Sequence, residues 1–133
     1  MIQVICPVCG AALEPQGTAW RCVQGHCFDV ARQGYVNLLT VTQKHSRHPG
    51  DTREMVAARR AFLDAGWYAP IAKTLADLVR RFCPETASVL DAGCGEGYYL
   101  SQLGWVPERW GIDISRDAVR YAAARDRGAH WLT

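Results

Sequence analysis

Apolar positions recur at helical spacing in two stretches of the chain and as short strand-like runs in three others. Met55, Val56, Phe62 and Leu63 fall on one face of a helix that Asp51 and Glu54 open in a capping-box-like way and Gly66 closes. Arg59 lies within that apolar stripe, where an arginine either snorkels to water or faces a cleft or a phosphate; Arg60 points elsewhere. Pro70 begins a second predicted helix, running to about Phe82, with Ile71, Leu75, Leu78 and Val79 as its expected buried face. Cys83-Pro84 ends it. Val89-Leu90 then closes an apolar run with Asp91 at its carboxyl end, and Trp110-Gly111-Ile112-Asp113-Ile114 reads as a second strand. Ser115 offers an N-cap for a helix from about Arg116 to Arg127, Gly128 its stop, and His130-Trp131-Leu132 opens a third strand. Strands alternating with helices predict a parallel sheet.

What joins the first two strands carries the chemistry. Gly93, Gly95 and Gly97 alternate immediately after Asp91, so strand, glycine loop and helix start follow one another. Without Cβ atoms the backbone can turn sharply and approach a ligand closely. The spacing is G-x-G-x-G, not the dinucleotide G-x-G-x-x-G, and no Lys-Ser or Lys-Thr follows Gly97, which argues against a triphosphate cradle. Asp113 stands 22 positions after Asp91, at the tip of the next strand, where a carboxylate can accept hydrogen bonds from both hydroxyls of a ribose. Loop and spaced acid together predict a nucleoside site. The stretch Val89–Leu100 resembles motif I of the class I S-adenosylmethionine-dependent methyltransferases.

The first 28 residues are of another kind. Cys6, Cys9, Cys22 and His26 form C-x2-C-x12-C-x3-H, four soft or borderline ligands at the spacing of tetrahedral zinc. No strand–helix pattern of the thioredoxin kind surrounds Cys6, which argues against a redox dithiol. His26 and Cys27 are adjacent and point in different directions, so one of them completes the set. A segment this short has little apolar content of its own, and metal ligation supplies much of its stability. Trp20-Arg21-Cys22 reads as the returning strand, and Phe28, Tyr35, Val36, Leu38 and Leu39 are expected to pack beneath the hairpin. Residues 40–51 are polar and basic, with Lys44, His45, Arg47 and His48 before Pro49-Gly50, as in an exposed linker. His45 and His48 have ligand-like spacing but no close partner in sequence.

Composition narrows the class further. A chain of 133 residues with 49% hydrophobic residues suits one globular domain or two small ones. No apolar run approaches the roughly 20 residues of a membrane helix, and no signal-peptide pattern opens the chain. Cysteines at metal-like spacing fit a reducing cytoplasm better than secretion. A formal charge of +2 permits a nucleic-acid partner without demanding one.

Longer phrases combine these features. Cys-Pro-x-Cys, Gly-His-x-Phe-Asp, Gly-Tyr-Val-Asn-Leu-Leu, Pro-Gly-Asp, Ala-Arg-Arg-Ala-Phe-Leu-Asp-Ala-Gly at 58–66 and Gly-Cys-Gly-Glu-Gly-Tyr-Tyr are all present. Together they resemble the bacterial 23S ribosomal RNA guanine-N1 methyltransferases, a family with relatives associated with macrolide resistance. The resemblance implies zinc on Cys6, Cys9, Cys22 and His26, which favours His26 over Cys27. It also implies S-adenosylmethionine held by Tyr68, Asp91, Gly93, Gly95, Glu96, Gly97, Tyr98 and Asp113, a homodimer, and 23S rRNA as partner, which the zinc module and basic linker are expected to grip through phosphates and by stacking on exposed aromatics such as Trp20. No residue is singled out as the catalytic base. Members of the family continue beyond residue 133, so the chain is expected to be an N-terminal portion, inactive alone.

The expected fold is therefore α/β: a small zinc-binding β-hairpin module at 1–40, a linker at 41–51, and at 52–133 the first half of a doubly wound, Rossmann-like methyltransferase domain. Two rival functions remain open at this level. One is a non-enzymatic zinc-ribbon RNA-binding protein. The other is a methyltransferase acting on a protein or small molecule, with zinc serving structure alone.

Overall fold

A computed structural model describes residues 2–85 and 87–133. The N-terminal part is a three-stranded antiparallel sheet of β1 (Leu13–Gln16), β2 (Ala19–Cys22) and β3 (Cys27–Asp29), in that spatial order. The second sheet is wholly parallel, with β4 (Tyr35–Val36), β5 (Ser88–Ala92), β6 (Glu108–Ile112) and β7 (His130–Leu132) arranged β4-β7-β6-β5. Helices α1 (Arg53–Asp64) and α2 (Ala69–Phe82) precede β5, α3 (Tyr98–Ser101) follows it, and α4 (Arg116–Arg125) joins β6 to β7. Antiparallel Cys/His module followed by parallel sheet with alternating helices is the architecture the sequence predicts.

Local chemistry sets the helix ends. Thr52, not Asp51, caps α1: its side chain accepts from the Met55 N–H at 3.3 Å. Asp51 is drawn away instead, its carbonyl accepting from the Ser115 hydroxyl at 2.7 Å and its carboxylate facing Arg59. Ser115 caps α4 as expected, accepting from the Ala118 N–H.

Side-chain alternation along the parallel strands divides the core in two. Tyr35 and Trp131 point to the face covered by α3 and α4, where they meet Leu100, Val119, Ala122 and Ala123. Val36, Trp110 and Leu132 point to the other face and share one cluster with Cys6, Leu13, Trp20 and Cys22 of the antiparallel module. That module thus covers one face of the parallel sheet.

Three expectations change here. Tyr35–Val36 does not merely finish the hairpin's core; it pairs with Trp131–Leu132 as the edge strand of the parallel sheet. Trp20 is only 9% exposed, edge-on to Trp110 at 5.9 Å, so it is not free to stack on an external base. The apolar stripes of the helices are half used. Val56 and Leu63 of α1 are buried but Met55 and Phe62 are exposed, and on α2 Ile71, Leu75 and Leu78 face solvent with Phe82 while Ala72 and Ala76 turn inward. No described element covers that side of α2.

Candidate functional site

The metal-type cluster is built by two tight turns. The Cys6 N–H donates to the Ala11 carbonyl and the Gly10 N–H to the Cys6 carbonyl, curling Cys6 and Cys9 to one side. The Gly25 N–H donates to the Cys22 carbonyl and the Cys22 N–H to the His26 carbonyl, returning His26 to Cys22. The ligand atoms of Cys6, Cys9, Cys22 and His26 all lie within 4.8 Å of one another. Zinc–sulfur bonds of about 2.3 Å in a tetrahedron separate two sulfurs by about 3.8 Å, and a sulfur from a nitrogen by about 3.6 Å. Cys9 Sγ is 3.7 Å from Cys22 Sγ, and His26 Nδ1 is 3.6 Å from Cys6 Sγ and 3.3 Å from Cys22 Sγ. Three thiols and an imidazole at these separations fit zinc. Burial opposes a Cys6 thiolate, but the N–H groups of Val8 and Cys9 outweigh it and draw the thiol below its ordinary pKa. Cys27, exposed on β3, is not in the cluster, and His45 and His48 join no metal-type cluster among the described residues.

The second site lies at the carboxyl ends of the parallel strands. After β5 the chain crosses to β6, the N–H groups of Gly93 and Cys94 both donating to the Ile112 carbonyl. Asp113 then ties loop to strand tip: its Oδ2 accepts from the Gly95 N–H at 2.9 Å and its Oδ1 from the Ser115 N–H at 2.8 Å. Beside them is a crevice of about 350 Å³ lined by Leu39, Gly93, Ile112, Asp113, Ile114 and Thr133. An added Cβ on Gly93 would meet nothing within 4 Å, and φ is positive at Gly93 (+88°) and Gly95 (+54°). Backbone is therefore presented bare to the crevice. An apolar slot ending on a carboxylate and flanked by open glycine backbone fits an adenine nucleoside.

The remaining candidates are spread around this crevice. Asp91 is half-buried, and burial, reinforced by the charge of Asp113, raises its pKa. Glu96, 2% exposed, is held from below by Arg125 at 2.5 Å, which also reaches Asp64 at 2.8 Å. Burial works against the Arg125 charge, but the two acids hold it protonated. Gly97 packs on Trp131 and Ala122, and Tyr98 is buried with Leu63 and Ala72. Tyr68 sits at the α1–α2 corner, its ring edge-on to Phe62 at 5.0 Å, outside the crevice lining. Sequence reasoning missed Leu39, Ile114 and Thr133 as lining, and Arg125 as the support of Glu96. Only Ile114 carried a signal, as the apolar residue next to Asp113.

A zinc-ribbon-type module packed on a nucleoside-type parallel sheet defines a class of modular α/β proteins, and comparison with known sequences narrows it. Residues 4–47 match the family model described as RlmA, N-terminal. A 23S rRNA (guanine(748)-N(1))-methyltransferase of Streptomyces fradiae is 45% identical over 89% of this chain and 43% of its own length. Two further proteins, provisionally named 23S rRNA (guanine-N(1)-)-methyltransferases, match too. The one from Micromonospora griseorubida is 42% identical over 89% of this chain and 46% of itself, and the one from Bacillus subtilis (strain 168) 31% over 95% and 47%. Residues 4–47 thus carry an RlmA-type N-terminal segment, and most of the chain is similar to proteins named 23S rRNA guanine-N1 methyltransferases, of whose length it spans less than half. No helix among the described residues is long and apolar enough to cross a membrane.

Proposed function

We propose that this chain supplies the zinc-ribbon and cofactor-cradling portion of an enzyme that methylates N1 of a guanine in a 23S rRNA hairpin. The observation that carries the reading is the Asp113 carboxylate, bonded to Gly95 and opening onto an apolar crevice, in a chain similar to these methyltransferases. S-adenosylmethionine supplies an electrophilic methyl group when bound. Asp113 is the ribose acceptor, since each of its oxygens retains a lone pair beyond the backbone bonds it accepts. Gly93 and Gly95 admit the nucleoside against bare backbone; Ile112, Ile114 and Leu39 hold its base and exclude water. Tyr68, Asp91, Glu96, Gly97 and Tyr98 complete the cofactor-side set of this scheme, with Gly97 and Tyr98 packing the loop onto Trp131, Leu63 and Ala72. Catalysis on this scheme is mostly positioning, together with removal of the guanine N1 proton as the methyl group arrives, for which no residue of this chain is assigned. The thiols of Cys6, Cys9 and Cys22 with His26 hold a closed, structural zinc, all four positions being taken by protein.

With Trp20 buried, RNA contact falls to the basic segment. Lys44, Arg47, Arg53 and Arg116, interspersed with Asp51, Glu54 and Asp117, line a cavity of about 330 Å³ that shares Leu39, Ile114 and Thr133 with the cofactor crevice. Such cations grip phosphates and position the strand rather than read it. We divide the chain accordingly into a ribbon at 1–40, a basic linker at 41–51 and a cofactor portion from 52.

Ligand-observed NMR with S-adenosylhomocysteine and gel shift with a 23S rRNA hairpin test the two halves separately. Asp113→Ala is expected to abolish nucleoside binding and leave the hairpin bound, whereas Lys44→Ala with Arg47→Ala does the reverse. Methyl transfer is read by primer extension, which stops at an N1-methylated guanine, with the Streptomyces fradiae relative assayed beside this chain. A chain that binds no adenosine ligand even at high concentration would refute the proposal.

A further inference from the structure

We infer that Arg59 receives the α-carboxylate of an amino-acid-bearing nucleoside, so that the site selects S-adenosyl amino acids over simple adenosines; the inference rests on the cofactor reading above. Arg59 lies one helical turn from Val56 and from Leu63, both buried, so its backbone position faces inward. Its side chain is nevertheless 56% exposed, and it reaches over the glycine loop. Nη1 is the nearest atom to Gly95, 4.0 Å from where a Cβ on that residue would stand. Gly95 in turn donates its N–H to Asp113. The loop residue thus stands between the proposed ribose acceptor and a guanidinium.

The charge pattern makes that guanidinium available. Arg125 is clamped by two acids at 2.5 and 2.8 Å and is mostly buried. Among the described residues Arg59 has a single ion-pair partner, Asp51, at 3.3 Å and itself partly exposed. A guanidinium fork binds a carboxylate through two parallel N–H···O bonds, a match an ammonium does not reproduce. Carboxylates surround the rest of the loop, with Asp91, Glu96 and Asp113 all within its own few residues or bonded to it. A ligand bearing a free carboxylate would be repelled there without a cation, and a plain adenosine would not.

S-adenosylhomocysteine and 5′-methylthioadenosine share the adenosine and the thioether and differ only in the amino-acid end. Ligand-observed NMR titration of the chain with each gives the comparison. The homocysteine ligand is expected to bind about tenfold or more tightly than the methylthio ligand, as one charge-assisted fork warrants. Arg59→Met keeps the apolar stem and is expected to erase that advantage while leaving methylthioadenosine unchanged; Arg59→Lys falls between. Asp51→Asn, which frees the guanidinium, is expected to widen the preference. Equal binding of both ligands by the unaltered chain, an unchanged ratio in Arg59→Met, or a narrower ratio in Asp51→Asn would overturn the inference alone. Failure of both ligands to bind would overturn the cofactor reading and the inference together.

Discussion

Substituting Gly111 by alanine tests whether the glycine-loop region is organised around one buried indole. The new Cβ would stand 2.3 and 2.4 Å from Trp131 Cζ3 and Cε3, and 3.1 Å from Cys94 Sγ. Trp131 is 1% exposed and cannot swing aside, since its Nε1–H donates to the Asp126 carbonyl at 2.7 Å and its far edge lies where a Cβ on Gly97 would be, at 2.8 Å. Overpacking of this kind costs about 1–3 kcal/mol. The fixed indole puts Gly111→Ala in the upper half of that range, less the roughly 0.5 kcal/mol or more that alanine recovers over glycine in a strand. A net loss of about 2 kcal/mol lowers Tm by about 6–10 °C for a chain of this size. Urea unfolding followed by far-ultraviolet circular dichroism, with zinc present, gives the number. In a Trp131→Leu background, itself costing about 3 kcal/mol or more, the same glycine change is expected to cost under about 1 kcal/mol. An equal penalty in both backgrounds would refute the steric reasoning.

Further expectations concern metal, charge and surface. Metal analysis is expected to give one zinc per chain, loosened far more by His26→Ala than by Cys27→Ala; because Trp20 and Leu132 share a core, chelation is also expected to speed amide exchange at Trp131 and Leu132. Asp91 has a raised pKa in the fold, so its contribution is fullest below the ordinary carboxylate range and is lost as pH rises through the raised value. Asp91→Asn is therefore expected to stabilise the chain at neutral pH and to do nothing in acid; an equal gain at both would sink the assignment. Light scattering over a concentration series is expected to show self-association through the open β5 edge and the bare face of α2, relieved by Leu75→Lys with Leu78→Lys.

Much of this was legible because the informative residues lie close together in sequence. The two zinc turns are local, as are the strand–glycine–helix order after Asp91 and the Ser115 cap. What escaped was long-range. A two-residue strand such as Tyr35–Val36 has no period to read, and its partner lies at Trp131–Leu132. Trp20 reads as an exposed stacking residue until Trp110 is folded against it. The stripe of Ile71, Leu75 and Leu78 announces burial, but burial needs a second surface, and no described element supplies one. The glycines divide for the same reason: Gly93 faces open space and Gly95 the tip of Arg59, while Gly97 and Gly111 make room for Trp131, which only the fold distinguishes.

The edge strand from the N-terminal module gives the parallel sheet a direction of growth. β4 closes the β7 side, and Val30 bridges to Val36 on its outer flank. Among the described residues β5 is paired only with β6. The ribbon therefore acts as a bookend. Any strand added to this sheet, by whatever polypeptide, must dock beside Val89 and Asp91, next to the glycine loop. A strand added there would lie beside the loop whose Gly93 borders the proposed cofactor crevice, so assembly and ligand capture are expected to be coupled.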